Sequence, residues 1–207
     1  MIGIVDYGMG NIKAFSNIYK QLDIPHKIIK SREHFKDVEK IILPGVGAFD
    51  HAMMCLEKSG LLETLNDLVL NKKKPILGVC VGMQMMAKSS EEGVFSGLGW
   101  IEATVNKFKK EELGGGNPLP HMGWNSIEHM SDNLLFKDID VSSRFYFLHS
   151  YYFSEADSKD VLTKTEYNGL YTSSVCRNNI FGVQFHPEKS HHWGERLLKN
   201  FAEIAVC

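Results

Sequence analysis

The stretch Pro75-Ile76-Leu77-Gly78-Val79-Cys80-Val81-Gly82-Met83-Gln84 runs as a short apolar strand into a cysteine and restarts as a helix. An apolar run of this length, bounded by turn signals, is the pattern of a strand buried on both faces. A cysteine at the sharp turn between strand and helix presents its sulfur at the helix N-terminus, where the backbone dipole and free N–H groups favour thiolate over thiol. Gly78 and Gly82 leave room for the turn and for a ligand. Cys80 is therefore read as a nucleophile, whereas Cys55 and Cys176 lack this context and are read as structural.

Working outward from this elbow, the first half of the chain alternates short apolar runs with segments of helical period. Ile2–Val5, His26–Lys30, Lys40–Leu43 and Ile76–Val79 read as strands. Asn11–Leu22 reads as a helix with Asn11 as N-cap and Ile12, Phe15, Ile18, Tyr19 and Leu22 on one face, and Phe49–Lys58 and Leu61–Asn71 read as two more. That alternation predicts an α/β fold, an open, mostly parallel twisted sheet with helices on both faces. The rhythm changes downstream. Trp100–Phe108, Arg144–Phe153, Val161–Tyr167, Tyr171–Arg177 and Ile180–Phe185 read as closely spaced strands of a smaller antiparallel or mixed region, with a glycine-rich loop at Gly114-Gly115-Gly116-Asn117-Pro118. A helix over His192–Ala205 closes the chain, with Leu197, Leu198, Phe201 and Ile204 as its buried stripe. No linker-like composition divides the 207 residues, so a single domain over residues 1–207 is expected.

Charge narrows the partners. With 23 basic and 25 acidic residues spread throughout, and a net charge of -2, nothing calls for nucleic acid or an anionic membrane. Lys72-Lys73-Lys74 reads as a solvated turn. Cys55, Cys80, Cys176 and Cys207 are too irregularly spaced for a disulfide framework or a zinc motif, and the N-terminus is a strand rather than a signal peptide, so a cytoplasmic protein is expected. His186, His191 and His192 point in different directions on an extended segment and a helix start, so neither a metal nor another cofactor is expected. Met83, Met85 and Met86 read as core packing.

An open α/β sheet binds its ligands beyond the carboxyl ends of its strands. Asp6, the Pro44-Gly45-Val46-Gly47 turn and Cys80 all follow parallel strands and are expected on one rim. Far downstream, Phe181-Gly182-Val183-Gln184-Phe185-His186-Pro187-Glu188 reads as a second buried strand that delivers a histidine and a carboxylate at its end. Nucleophile, base and base-orienter together follow the logic of a Cys-His-acid triad. A thiolate attacking an amide carbonyl needs a proton donor for the departing amine, which His186 supplies, and Glu188 fixes the tautomer of that ring. The tetrahedral oxyanion needs backbone N–H donors, from Val81 after the nucleophile and from Val46 or Gly47 in the neighbouring turn, where glycine lets the backbone approach a ligand closely.

Pro-Gly-Val-Gly at 44–47, Gly-Val-Cys-Val-Gly-Met-Gln at 78–84 and Phe-His-Pro-Glu at 185–188 together resemble the class I, triad-type glutamine amidotransferases, whose glutaminase domain hydrolyses glutamine to glutamate and ammonia. Asp6-Tyr7-Gly8-Met9-Gly10-Asn11 and Pro120-His121-Met122-Gly123-Trp124-Asn125 narrow the resemblance to the HisH family, the glutaminase subunits of imidazole glycerol phosphate synthase. The resemblance implies a flavodoxin-like fold and a glutamyl thioester on Cys80, with His186 as acid/base and Glu188 as its orienter. It assigns Gly45, Gln84, Glu92, His149, Ser150 and Tyr151 to the glutamine pocket. It assigns Asn11, Met122 and Trp124 to the face that docks on a HisF-type (β/α)8 synthase subunit, forming a heterodimer that makes L-histidine precursors. Two other readings stay open. One is a HisH-like paralogue that supplies ammonia for amination of a nucleotide-linked sugar in surface polysaccharide synthesis, suggested by the less typical Gly97-Leu98-Gly99-Trp100-Ile101 and His191-His192-Trp193. The other is a catalytically idle binding or regulatory subunit, against which the intact Cys80, His186 and Glu188 argue.

Overall fold

In the computed structural model the described residues are 1–108, 117–129, 132–154 and 156–205; Gly114, Gly115 and Gly116 of the expected loop, and Cys207, lie outside them. The first half alternates as β1 (Ile2–Val5), α1 (Ile12–Gln21), β2 (His26–Ile29), β3 (Lys40–Gly45), α2 (Phe49–Lys58), α3 (Leu62–Asn66), β4 (Ile76–Cys80) and the single turn α4 (Val81–Gln84). After these come β5 (Ser89–Ser90), β6 (Thr104–Lys107), β7 (His121–Ser126), β8 (Glu128–His129), β9 (Arg144–His149), β10 (Tyr151–Ser154), β11 (Val161–Glu166), β12 (Leu170–Arg177), β13 (Ile180–Val183) and α5 (His191–Glu203).

Among the described residues the main sheet has 11 strands, with β2-β1-β3-β4-β13 parallel at one end and β12-β10-β6 continuing it antiparallel. The open, mostly parallel sheet with helices is thus as expected in the chain's first half, and the antiparallel strands extend that same sheet. Only β7 and β9 stand apart, as a two-stranded antiparallel ribbon. β13 comes from the far end of the sequence yet pairs parallel to β4, with Gly182 opposite Gly78 and Val183 opposite Val79, which carries His186 and Cys80 to the same end of adjacent strands. Phe15 and Tyr19 of α1 are buried, and the Tyr19 hydroxyl reaches the Leu198 carbonyl of α5.

Several boundaries depart from the periodicity for physical reasons. β3 does not end at Leu43: Pro44 and Gly45 stay in register with Val79 and Cys80, because the pairing needs no N–H from the proline here. Leu61–Asn71 splits into α3 and a π-type turn over Asp67–Asn71. Arg144–Phe153 is two strands broken at Ser150, and Trp100 and Ile101 lie buried ahead of β6 rather than within it. Asn11 occupies the N-cap of α1, but its side chain makes no capping hydrogen bond. Ile204 falls just beyond α5, leaving Leu197, Leu198 and Phe201 as its fully buried apolar side chains.

Below the elbow, α4 lies backbone to backbone on β3. A Cβ on Gly82 would sit 1.9 Å from the Leu43 carbonyl oxygen, and one on Gly45 would sit 2.3 Å from the Gly82 nitrogen. Neither obstacle is a movable side-chain tip. Gly82→Ala is therefore expected to cost about 3 kcal/mol, the upper end of ordinary overpacking, read as a lowered urea midpoint; a midpoint equal to wild type would show that the two layers separate freely.

Candidate active site

Cys80 closes β4 and stands at the N-cap of α4 with φ 55 and ψ -113. A non-glycine residue in such a conformation costs on the order of 1–3 kcal/mol and persists only where its surroundings enforce it. Here the paired strand on one side and the glycine-tight α4 on the other enforce it. The thiol is almost fully buried, 3.9 Å from the Leu148 carbonyl oxygen and 3.8 Å from the Gln184 side-chain amide.

Beyond β13, the His186 amide donates to the Tyr146 carbonyl, and the chain turns through the 3-10 segment Pro187–Lys189. Ser190 locks the turn: its hydroxyl donates to the His186 carbonyl and accepts from the Tyr146 amide. The His186 ring lies against Glu188, with Nδ1 2.9 Å from Oε1 and side chains only 3% and 1% exposed. Burial alone would lower the His186 pKa. The negative charge of the Cys80 sulfur, its hydrogen bond to the ring, and Glu188 together reverse this and raise it to about 10. With Nδ1 committed to Glu188, Nε2 is the nitrogen left for the sulfur.

A cavity of about 270 Å³ opens over these groups. It brings together Cys80, Val81, Val46, Gly47, Gln84, Glu92, His149, Ser150, Tyr151 and His186, all expected from the sequence. Two expected residues stand behind the wall instead of in it: Gly45 against the α4 backbone, and Glu188 behind His186. Gly47 adopts φ 83, a left-handed conformation suited to turning a backbone N–H toward a ligand. Gln84 donates to the Tyr151 carbonyl and to the Gln184 side-chain oxygen, both at 3.1 Å. Glu92 uses Oε2 to accept the Phe49 amide at 2.8 Å, which fixes its carboxylate at the cavity edge. Burial drives the His149 pKa down to about 3, so this ring is neutral.

The structure also adds residues to the cavity. Pro120, Leu148 and Lys189 line it, and Gln184 contacts the sulfur from behind. Lys189 follows Glu188 directly and Pro120 opens the Pro120–Asn125 stretch, so both could have been found from those motifs; Leu148 had no local signal. Asp6 does not join the cavity lining. It sits on the same rim but is paired with Lys30 at 3.5 Å and accepts from the Gly8 amide. Beside the cavity, β7 presents Met122, 64% exposed, and Trp124, 38% exposed, the latter stacked on His191 with ring centres 5.0 Å apart. Asn11 is exposed at the start of α1.

Known proteins resemble this chain along nearly its whole length. The sequence model of the glutamine amidotransferase class-I family matches residues 4–205. An imidazole glycerol phosphate synthase subunit HisH from Leptospira borgpetersenii is 52% identical over 99% of this chain and 100% of its own length. HisH from Bdellovibrio bacteriovorus is 50% identical over the same shares. Among solved structures, a glutamine amidotransferase superposes with a TM-score of 0.74 at 20% identity, covering 98% of this chain and 97% of that one. A glutamine amidotransferase from Thermotoga maritima gives 0.62 at 18% identity, covering 98% and 82%. These last two bear on the fold alone. Family match and full-length identity together show that the chain belongs to the class-I glutamine amidotransferases, among the HisH subunits.

Proposed function

We propose that this chain, as a single glutaminase domain, is the glutamine-hydrolysing subunit of an imidazole glycerol phosphate synthase and delivers ammonia to a HisF-type (β/α)8 subunit in L-histidine biosynthesis. The observation that carries this reading is the buried Cys80–His186–Glu188 constellation at the floor of a cavity whose wall offers a carboxylate, Glu92, and an amide, Gln84. Glu92 holds the α-ammonium of glutamine, while Gln84 and the backbone of His149-Ser150-Tyr151 receive its amino-acid end. The Cys80 thiolate attacks the side-chain amide carbon. A C–S bond forms, and the oxyanion meets the N–H groups of Val81 and of Val46 or Gly47 at a helix N-terminus and a left-handed turn. His186 gives its Nε2 proton to the amide nitrogen, the C–N bond breaks, and ammonia leaves a glutamyl thioester. The now neutral His186 draws a proton from water, the resulting hydroxide displaces sulfur, and glutamate departs.

Cavity and docking face share residues. Val46 and Leu148 line the cavity and are also exposed apolar side chains, and Leu148 lies opposite Met122 in the β7–β9 ribbon. An apolar patch of this kind next to a cavity fits a protein partner. Asn11, Met122 and Trp124 are the docking residues of the reading. A partner seated there covers the cavity mouth, so ammonia passes without meeting bulk water, where it would be protonated. Among the described residues no helix is long and apolar enough to cross a membrane, and the reading assigns the protein to the cytoplasm.

A second acceptor has one observation in its favour. His191, one of the less typical residues that left this reading open, adds a ring to the docking face through its stack on Trp124. Rescue of a histidine auxotroph that lacks this subunit supports the histidine pathway; failure with a soluble chain and its own partner supports ammonia supply to a nucleotide-linked sugar.

Cys80→Ala is expected to abolish glutamate release, a loss of at least about a thousandfold, whereas the wild-type rate rises by orders of magnitude when partner and acceptor are added. Full activity in the isolated chain, indifferent to any partner, would contradict the coupling. The His186 pKa, lifted from 6.5 to about 10 in the fold, contributes stability that is fully present below pH 6.5 and is lost as pH rises through 10. Glu188→Gln removes one of the charges holding it up. Urea midpoints between pH 6.5 and 10 should therefore fall less steeply in Glu188→Gln than in wild type, and equal slopes would remove Glu188 from that role.

A further inference from the structure

A run of polar side chains behind the cavity wall takes no part in the hydrolysis described above. It begins on β7 with Asn125, whose Nδ2 donates to the Glu166 carbonyl at 2.9 Å while Oδ1 accepts the Ser126 amide at 2.8 Å. The same Nδ2 lies 3.3 Å from His121 Nε2, and His121 Nδ1 is 3.0 Å from the Tyr171 hydroxyl. That hydroxyl is 3.1 Å from His149 Nε2, and His149 Nδ1 is 2.7 Å from the Tyr151 carbonyl oxygen.

Both ends of this chain dictate the same direction. A backbone carbonyl only accepts, so His149 carries its proton on Nδ1, and its Nε2 must accept from the Tyr171 O–H. The tyrosine oxygen then receives the proton on His121 Nδ1, which leaves His121 Nε2 to accept from Asn125. The Asn125 amide, oriented independently by Glu166 and Ser126, offers an N–H at that point. Burial keeps both rings neutral, holding the His121 pKa near 4 and the His149 pKa near 3, so neither gains the second proton that would break the order. Stacking on Phe147 and Tyr167, at ring distances of 4.6 and 3.8 Å, holds His121 in place.

The two termini of the run are what give it meaning. At one end, His121 and Asn125 flank Met122 and Trp124, the exposed pair on the docking ribbon. At the other, the Tyr151 carbonyl also accepts from Gln84, which donates to Gln184, whose amide faces the Cys80 sulfur. Between His149 and Tyr151 lies Ser150, where the β9–β10 run breaks and its residues line the cavity.

We infer that Tyr171 is a positioning residue that couples the docking ribbon to the glutamine pocket: its hydroxyl sets the tautomers of His121 and His149 and ties movement of β7 to the Ser150–Tyr151 wall. The inference rests on the partner-activated glutaminase reading and specifies where in the chain that activation is carried. It makes Tyr171, outside the cavity lining and making no substrate contact, responsible for the ratio of stimulated to basal turnover.

Two measurements test it. Long-range ¹H–¹⁵N NMR of the wild-type chain at pH 7 should show both His121 and His149 as Nδ1–H tautomers; an Nε2–H tautomer at either ring overturns the directed chain. Steady-state kinetics then compare wild type with Tyr171→Phe, which keeps the ring and loses only the hydroxyl, and with His121→Phe, which keeps the stack. Each variant should bind the HisF-type subunit with unchanged affinity and keep its basal turnover, while stimulation by that subunit falls about tenfold. Unchanged stimulation in both, or an equal fall in basal and stimulated rates, overturns the coupling role. A wild-type chain that hydrolyses no glutamine under any condition overturns the glutaminase reading instead, a result the variants cannot mimic.

Discussion

Backbone against backbone, with no side chain between, is the contact on which the site depends. Gly82 lies directly over the Leu43 carbonyl, and Gly45 lies against the Gly82 nitrogen, so α4 sits closer to β3 than any residue with a Cβ would allow. That closeness leaves Cys80 no relaxed conformation, and the residue is held at φ 55. The parallel pairing of β4 with β13 then supplies the other half, since strands in register end together and deliver Cys80 and His186 to one place. Strain at Cys80 is thus maintained by ordinary sheet pairing and a tight layer contact.

Electrostatics divides the histidines by neighbourhood. His186, His149 and His121 are all buried, yet only His186 faces Cys80 and Glu188 and holds its proton up to about pH 10. His149 and His121 have a tyrosine, a backbone carbonyl and an amide as partners, and there burial prevails, outweighing the one opposing bond, from His149 to the Tyr151 carbonyl. The first arrangement keeps a charged ring beside the sulfur, as the proposed proton transfer to a leaving amine requires; the second provides directed hydrogen bonds that carry no charge.

Much of this was legible in the chain because it is local. The apolar run ending at Cys80, the two-residue spacing of His186 and Glu188, and each strand or helix in the alternation of the first half are written in neighbouring residues. Gly45 and Gly82 were visible as glycines near a turn, but their contact with each other is tertiary. Local periodicity also could not show that Ser150 interrupts an otherwise strand-like run, or that Asp6 is drawn away by Lys30. Leu148 and Tyr171 had no signal of their own: each is unremarkable on its strand and acquires its place only when β9 and β12 meet behind the cavity.

The proposed function stands or falls with the Cys80 sulfur as the nucleophile of a pocket that takes glutamine. Its most direct measurement is peptide-mapping mass spectrometry after exposure of the chain, with its partner subunit, to a glutamine analogue carrying a chloroketone in place of the side-chain amide. One adduct on Cys80, formed at a rate that excess glutamine suppresses and Cys80→Ser abolishes, is the predicted result. An unmodified Cys80, or modification spread over Cys55 and Cys176 without protection by glutamine, would contradict it.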